Sequence, residues 1–146
     1  MGITSTADAT WSGTLTEGEG SIDYVGSGAF SRMPISWAAR TEAHNGKTSP
    51  EELIAAAHAS CFAMAFASGL AKNETPATKL SIQAAVTFDR TDAGWGIASS
   101  AITVRGEVRG IDQAKFAELA EAAKDGCPVS RALKGNVALS VDAQLA

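Results

Sequence analysis

Cysteine is scarce in this chain of 146 residues: there are two, Cys61 and Cys127. That is too few for the stapled framework of a small secreted domain, and in a reducing compartment a thiol pair is more often catalytic, redox-sensing or buried. Positive charge is missing from the amino-terminal stretch, where no Lys or Arg precedes Arg32. Residues 1–30 therefore lack the basic segment of a secretory signal and the arginines of a transit peptide, and the expected location is cytoplasmic. The formal charge of −4 offers no attraction to nucleic acid or to an anionic membrane. Linkers, low-complexity tails and repeats of solenoid length are also lacking.

What is present suits a single domain over residues 1–146. A chain of this length can bury roughly two-thirds of its unfolded surface, enough for a core without disulfide or metal staples. The composition, 45% hydrophobic and 19% charged, is that of an ordinary soluble protein. The uncharged run Leu53–Ala71, LIAAAHASCFAMAFASGLA, is long enough to invite a membrane reading. Its many alanines, with His58, Ser60, Ser68 and Gly69, make transfer into lipid poor, so no membrane partner is expected. A helix apolar on every side is instead one buried on every side. A small domain has trouble surrounding such a helix alone, which points to a homodimer with this helix at or near the shared interface.

Residues 9–15 and 20–25 are β-compatible pieces separated by glycines and acids, the pattern of an opening hairpin, and Met33–Arg40 reads as a third strand. The polar loop Glu42–Lys47 carries the turn dipeptide Asn45-Gly46. A long helix follows, from Pro50 to about Leu70, with Ser49 as N-cap, Pro50 at its first position and Glu52 completing a capping box. Leu80, Ile82, Ala84, Val86 and Phe88 alternate, as do Ile102, Val104, Gly106 and Val108, predicting an antiparallel hairpin around the turn Thr91–Gly94. Asp112 can cap a second helix whose Phe116, Leu119, Ala120 and Ala123 share one stripe, with Gly126 just past its end. Pro128 suits the start of a short turn through Leu133, and Val137–Leu145 alternates as a closing strand. The expected class is α+β, mostly antiparallel, around a long central buried helix.

A thiol with a pKa near 8.5 is only about 3% ionised at pH 7, so a working nucleophile needs a cation or a helix amino end nearby. Cys127 lies between Gly126 and Pro128, close to an N-cap position, and on local physics is the more acidic of the two. Cys61 is about three turns into its helix and gains little from that dipole. It needs a cation brought by the fold, from among Arg32, Arg40, Lys47, Arg90, Arg105 and Arg131. Free cysteine also packs as a small buried hydrophobe, so the residues alone leave Cys61 open between core filling and reacting atom.

The stretch Ser49-Pro50-Glu51-Glu52-Leu53-Ile54-Ala55-Ala56-Ala57-His58-Ala59-Ser60-Cys61-Phe62 resembles the central-helix signature of the osmotically inducible protein C and organic hydroperoxide resistance (OsmC/Ohr) family. Gly126-Cys127-Pro128-Val129-Ser130 is similar to that family's second signature, and the likeness extends to the opening Trp11-Ser12-Gly13 piece. The resemblance implies an intertwined homodimer and a thiol peroxidase acting on organic hydroperoxides without a cofactor. By the same resemblance Cys61 is the peroxidatic thiol that becomes a sulfenic acid and Cys127 the resolving thiol that condenses with it. It further implies reduction by a dithiol of the lipoyl type. Arg40, in Ser36-Trp37-Ala38-Ala39-Arg40-Thr41-Glu42, matches the arginine of the osmotically inducible branch that activates the thiol, with Arg32 as the alternative. Glu51 matches the glutamate that holds that arginine. It precedes Cys61 by ten residues, roughly 15 Å along a straight helix, so the site is either completed across a dimer interface or the helix is broken.

Other readings of the same residues differ in class. His58 lies one turn before Cys61 and could serve as the base of a cysteine hydrolase, although a satisfied core imidazole is the commoner role. A redox-sensing or structural stress protein would carry the same disulfide with little turnover. Two cysteines and two histidines lack the paired spacing of zinc ligands. Met33, Phe62, Met64 and Phe66 read mainly as core by their period, some of them also suited to an apolar pocket that would favour alkyl peroxides.

Overall fold

Alternating patterns and capping residues become six strands and four helices in the computed structural model, which describes residues 1–146. The chain divides into two compact units, Met1–Leu53 and Ile54–Ala146.

The first unit holds the antiparallel sheet β1-β2-β3, formed by Ala7–Ser12, Glu19–Val25 and Ser31–Ile35. The strand expected over Met33–Arg40 stops at Ile35, and its second half is instead the short helix α1, Trp37–Thr41. The cause is Ser36, an extended residue whose hydroxyl accepts the Ala39 N–H at 3.1 Å and so starts a helical turn of good helix formers. The long helix α2, Pro50–Lys72, begins in this unit. Ser49 Oγ accepts the Glu52 N–H at 3.1 Å as its N-cap. The Glu52 carboxylate takes the Thr48 hydroxyl at 2.8 Å, so the reciprocal half of the box is made with Thr48.

The second unit is built on the sheet β4-β5-β6, Ala77–Thr91, Gly94–Val108 and Ala138–Leu145. The hairpin β4-β5 is antiparallel, and β6 joins β5 in parallel after the crossover through α3, Gln113–Gly126, and α4, Pro128–Leu133. Asp112 caps α3 by accepting the Lys115 N–H at 2.8 Å. Register aligns Ile82, Val104 and Ala143 in one row and Ala84, Ile102 and Val141 in the next. These rows meet Phe62, Phe66 and Leu70 of α2 and Phe116, Ala120 and Ala123 of α3 in one core. Each fully buried Phe, Leu or Ile contributes about 1.5–3 kcal/mol. Gly106, in the row of Leu80 and Leu145, has no side chain because Phe116 lies where a Cβ would stand, 2.4 Å from its ring edge.

His58, Phe62, Phe66 and Leu70 form the buried row of α2, at every fourth residue. Met64 lies about 200° around the helix from its neighbours in that row and is 68% exposed, so it is not part of this core; Met33 is likewise exposed on β3. Helix α2 therefore buries one face within the chain and leaves Ala56, Ala57, Ser60, Met64, Ala67 and Ser68 on the other.

Candidate functional site

Cys127 occupies the junction of two helices. Its N–H closes α3 on the Ala123 carbonyl at 2.9 Å, and its carbonyl takes the Arg131 N–H at 3.0 Å as α4 begins. The side chain is fully buried, whereas Cys61 on α2 is half-buried, and the two thiols are hydrogen-bonded to each other. Burial pushes the Cys127 thiol up, but hydrogen bonds from the Cys61 thiol, the Ser130 N–H, the Ser130 hydroxyl and the Val129 N–H outweigh it and hold Cys127 below the ordinary thiol range. Burial pushes Cys61 up, and so does donating its hydrogen to Cys127. The Val129 N–H and the charge of Arg131 pull it the other way without reversing the direction. The pair therefore ionises unequally, with Cys127 giving up its proton more readily than Cys61.

Arg40, in the last turn of α1, and Glu51, in the first turn of α2, form an ion pair in the first unit. Arg40 Nε donates to Glu51 Oε1 at 3.0 Å and Oε2 at 3.2 Å, and the terminal nitrogen approaches Oε1 at 2.9 Å. Glu51 is almost fully buried, so it orients the guanidinium as a two-point clamp. Arg32, the alternative cation, is exposed on β3 with a backbone φ of 52°. Trp11, Leu15, Ile35, Trp37 and Pro50, together with Ser36 and Arg40, line a cavity of about 280 Å³ in the same unit. It is an apolar hollow with a guanidinium among its walls, suited to an alkyl group ending in a polar head. The helix that carries Glu51 and Cys61 runs unbroken from Pro50 to Lys72, which removes the broken-helix alternative. Along it the two residues stand roughly 15 Å apart.

His58 is fully buried, with Nδ1 2.6 Å from Ser100 Oγ and Nε2 2.7 Å from Ser130 Oγ. Both ring nitrogens are engaged by hydroxyls, leaving neither to act as base for Cys61. Burial lowers its pKa from the ordinary 6.5 by desolvation, which favours the neutral ring at pH 7. Ser100 and Ser130 were invisible as partners from sequence. Ser130 carries one cue, its place three residues after Cys127 in a first helical turn, whereas Ser100 on β5 carries none.

The family model described as OsmC-like protein matches residues 43–142. The chain is similar to "Peroxiredoxin OsmC" of Escherichia coli (strain K12), 37% identical over 139 residues that cover 95% of this chain and 96% of that protein. It is similar to "Organic hydroperoxide resistance protein OhrB" of Bacillus subtilis (strain 168), 33% identical over 106 residues, 71% of this chain and 74% of that protein. The crystal structure of OhrB of Bacillus subtilis superposes with a TM-score of 0.74 at 26% identity, covering 95% of this chain and 98% of that one.

Proposed function

The chain belongs to the OsmC-like protein family, and on that premise we propose that it is a thiol-dependent peroxidase that reduces organic hydroperoxides to alcohols. The observation that carries this reading is the hydrogen-bonded pair of Cys61 and Cys127, with the first sulfur half-buried and the second sealed. Access assigns the attack to Cys61, since a peroxide reaches a half-buried sulfur before a fully buried one. Acidity assigns the second step to Cys127, whose thiol ionises more readily than that of Cys61.

Cys61 sulfur attacks one peroxide oxygen: an S–O bond forms, the O–O bond breaks, and the alkoxide leaves as the alcohol after taking a proton. Because burial holds the Cys61 thiol above its ordinary range, its sulfur needs added positive charge to react as the anion. We assign that charge to Arg40, oriented by Glu51 and delivered in a homodimer. The uncovered stripe Ala56, Ala57, Ser60, Met64, Ala67 and Ser68 supports the dimer, since only 22% of the most apolar stretch of α2 is buried within one chain. The apolar cavity beside Arg40 supports an alkyl-bearing substrate. Cys127 then displaces hydroxide from the Cys61 sulfenic acid to form a disulfide. A dithiol, of the lipoyl type in this reading, restores both thiols by exchange. The expected compartment is the cytoplasm, where such reductants keep thiols reduced.

Steady-state turnover of cumene hydroperoxide with a dithiol tests the assignment. Cys61→Ser is expected to abolish peroxide consumption, and Cys127→Ser to stop after one equivalent with Cys61 trapped as a sulfenic acid. Sustained turnover by Cys61→Ser would remove the assignment.

A further inference from the structure

His58 has no part in the steps above, yet its placement is specific. It is 0% exposed, and its two nitrogens join β5 to α4 through Ser100 at 2.6 Å and Ser130 at 2.7 Å. Ser130 is itself 1% exposed and stands three residues after Cys127, in the first turn of α4. Its hydroxyl is among the groups that draw the Cys127 thiol below its ordinary range. A core imidazole needs only satisfied nitrogens. This one is satisfied by a residue that acts on the resolving sulfur.

The hydrogens of this chain have one consistent direction. A neutral imidazole offers one donor and one acceptor nitrogen, and each hydroxyl has one hydrogen. Once Cys127 is ionised, as the resolving step requires, its sulfur only accepts, so Ser130 gives its hydrogen to it. His58 Nε2–H must then donate to Ser130 Oγ, and Nδ1 accepts the Ser100 hydroxyl hydrogen.

We propose that His58 is a positioning residue for the resolving step: through Ser130 it keeps a hydroxyl hydrogen aimed at the Cys127 sulfur, and so sets how readily that sulfur attacks oxidised Cys61. The inference rests on the peroxidase reading. In that step an S–S bond forms and the S–O bond of Cys61 breaks. The hydroxide takes up the proton released when Cys127 ionised and leaves as water. The Cys61 sulfur is reduced as the Cys127 sulfur is oxidised, so no outside oxidant or reductant enters. The hydrogen bond raises the share of thiolate near neutral pH while making each thiolate a weaker nucleophile. The titratable and charged groups around the pair are His58 from α2 and Arg131 from α4, with Lys124 and Asp125 of α3 and Lys134 beyond α4 lining the small cavity that Ser130 borders.

The test follows disulfide formation after one equivalent of cumene hydroperoxide, across pH, in the parent protein and in Ser130→Ala, His58→Leu and His58→Gln. Loss of the Ser130 hydrogen bond raises the Cys127 pKa. For a rise of about one, bridging is about threefold slower below the parent's pKa and about threefold faster above the variant's, because the fully ionised thiolate is then more nucleophilic. The profiles of Ser130→Ala and His58→Leu are therefore expected to cross that of the parent, while His58→Gln, which keeps an N–H donor, stays near it. Uniform slowing at every pH, or profiles identical to the parent's, would overturn the role. Ring 15N spectra of the reduced parent, taken above the pKa of Cys127, give a readout that needs no variant to fold: Nε2 is expected to carry the hydrogen, and an Nδ1–H ring contradicts the chain of donors. If the parent itself forms no bridge, the peroxidase reading fails and takes this inference with it; if the parent bridges normally, only the role of His58 is at stake.

Discussion

Cys61 and Cys127 are hydrogen-bonded to each other in opposite kinds of setting. Cys127 lies at the start of a helix, where Val129 and Ser130 draw its pKa down although it is fully buried. Cys61 lies inside a helix whose backbone N–H groups are committed to their own turn, and it is more open but less acidic. The difference separates two properties often treated as one. Local hydrogen bonds set acidity, while access to the surface sets which sulfur meets the peroxide. A two-cysteine peroxidase can place these demands on different residues, provided a cation reaches the exposed thiol.

Removing that cation breaks the comparison most severely. An opposite charge close to a thiol depresses its pKa by about 1–3. Arg40→Met is therefore expected to lower kcat/KM for cumene hydroperoxide by roughly 3- to 30-fold, the lost thiolate being partly offset by its greater nucleophilicity, with Glu51→Gln losing less because the guanidinium remains but is no longer clamped. Arg40→Met with parental kcat/KM would leave Cys61 activated by something else, with Arg131 the first candidate by its charge.

A smaller effect sharpens the Cys127 side. The folded pKa of His58 lies below its ordinary value of 6.5, so below that pH the unfolded chain binds a proton that the folded chain refuses. Stability is therefore full above pH 6.5 and declines as pH falls, by at most about 1.4 kcal/mol per pH unit from this residue. His58→Gln cannot titrate, and urea unfolding between pH 7 and pH 5 is expected to show a shallower decline than in the parent. Equal slopes would mean that His58 is not held neutral.

Much of this architecture is legible in the residues. The caps at Ser49 and Asp112, the period-two rows of β4, β5 and β6, and the turn Thr91–Gly94 all stand where their chemistry demands. The acidity of Cys127 is legible too, because it follows from helix position and nearby backbone donors. Ser36 is a lesson in competition: a capping hydroxyl followed by Trp-Ala-Ala-Arg turned a strand pattern into a helical turn. The parallel pairing of β6 depends on where the α3–α4 crossover lands, which no local pattern encodes. Likewise, Ser100 is 42 residues from His58 and Ser130 is 72, so only tertiary contact could reveal that one imidazole joins them. The pairing of Arg40 with Glu51, eleven residues on, came from family likeness and not from spacing.

The most direct measurement is the mass of the reduced protein after a single equivalent of cumene hydroperoxide, followed by alkylation and peptide mapping. The expected result is loss of two hydrogens, a single bridge between Cys61 and Cys127, and one equivalent of the alcohol. Cys61 left as a sulfenic acid while Cys127 remains open to alkylation would contradict the pairing on which the two-step chemistry stands.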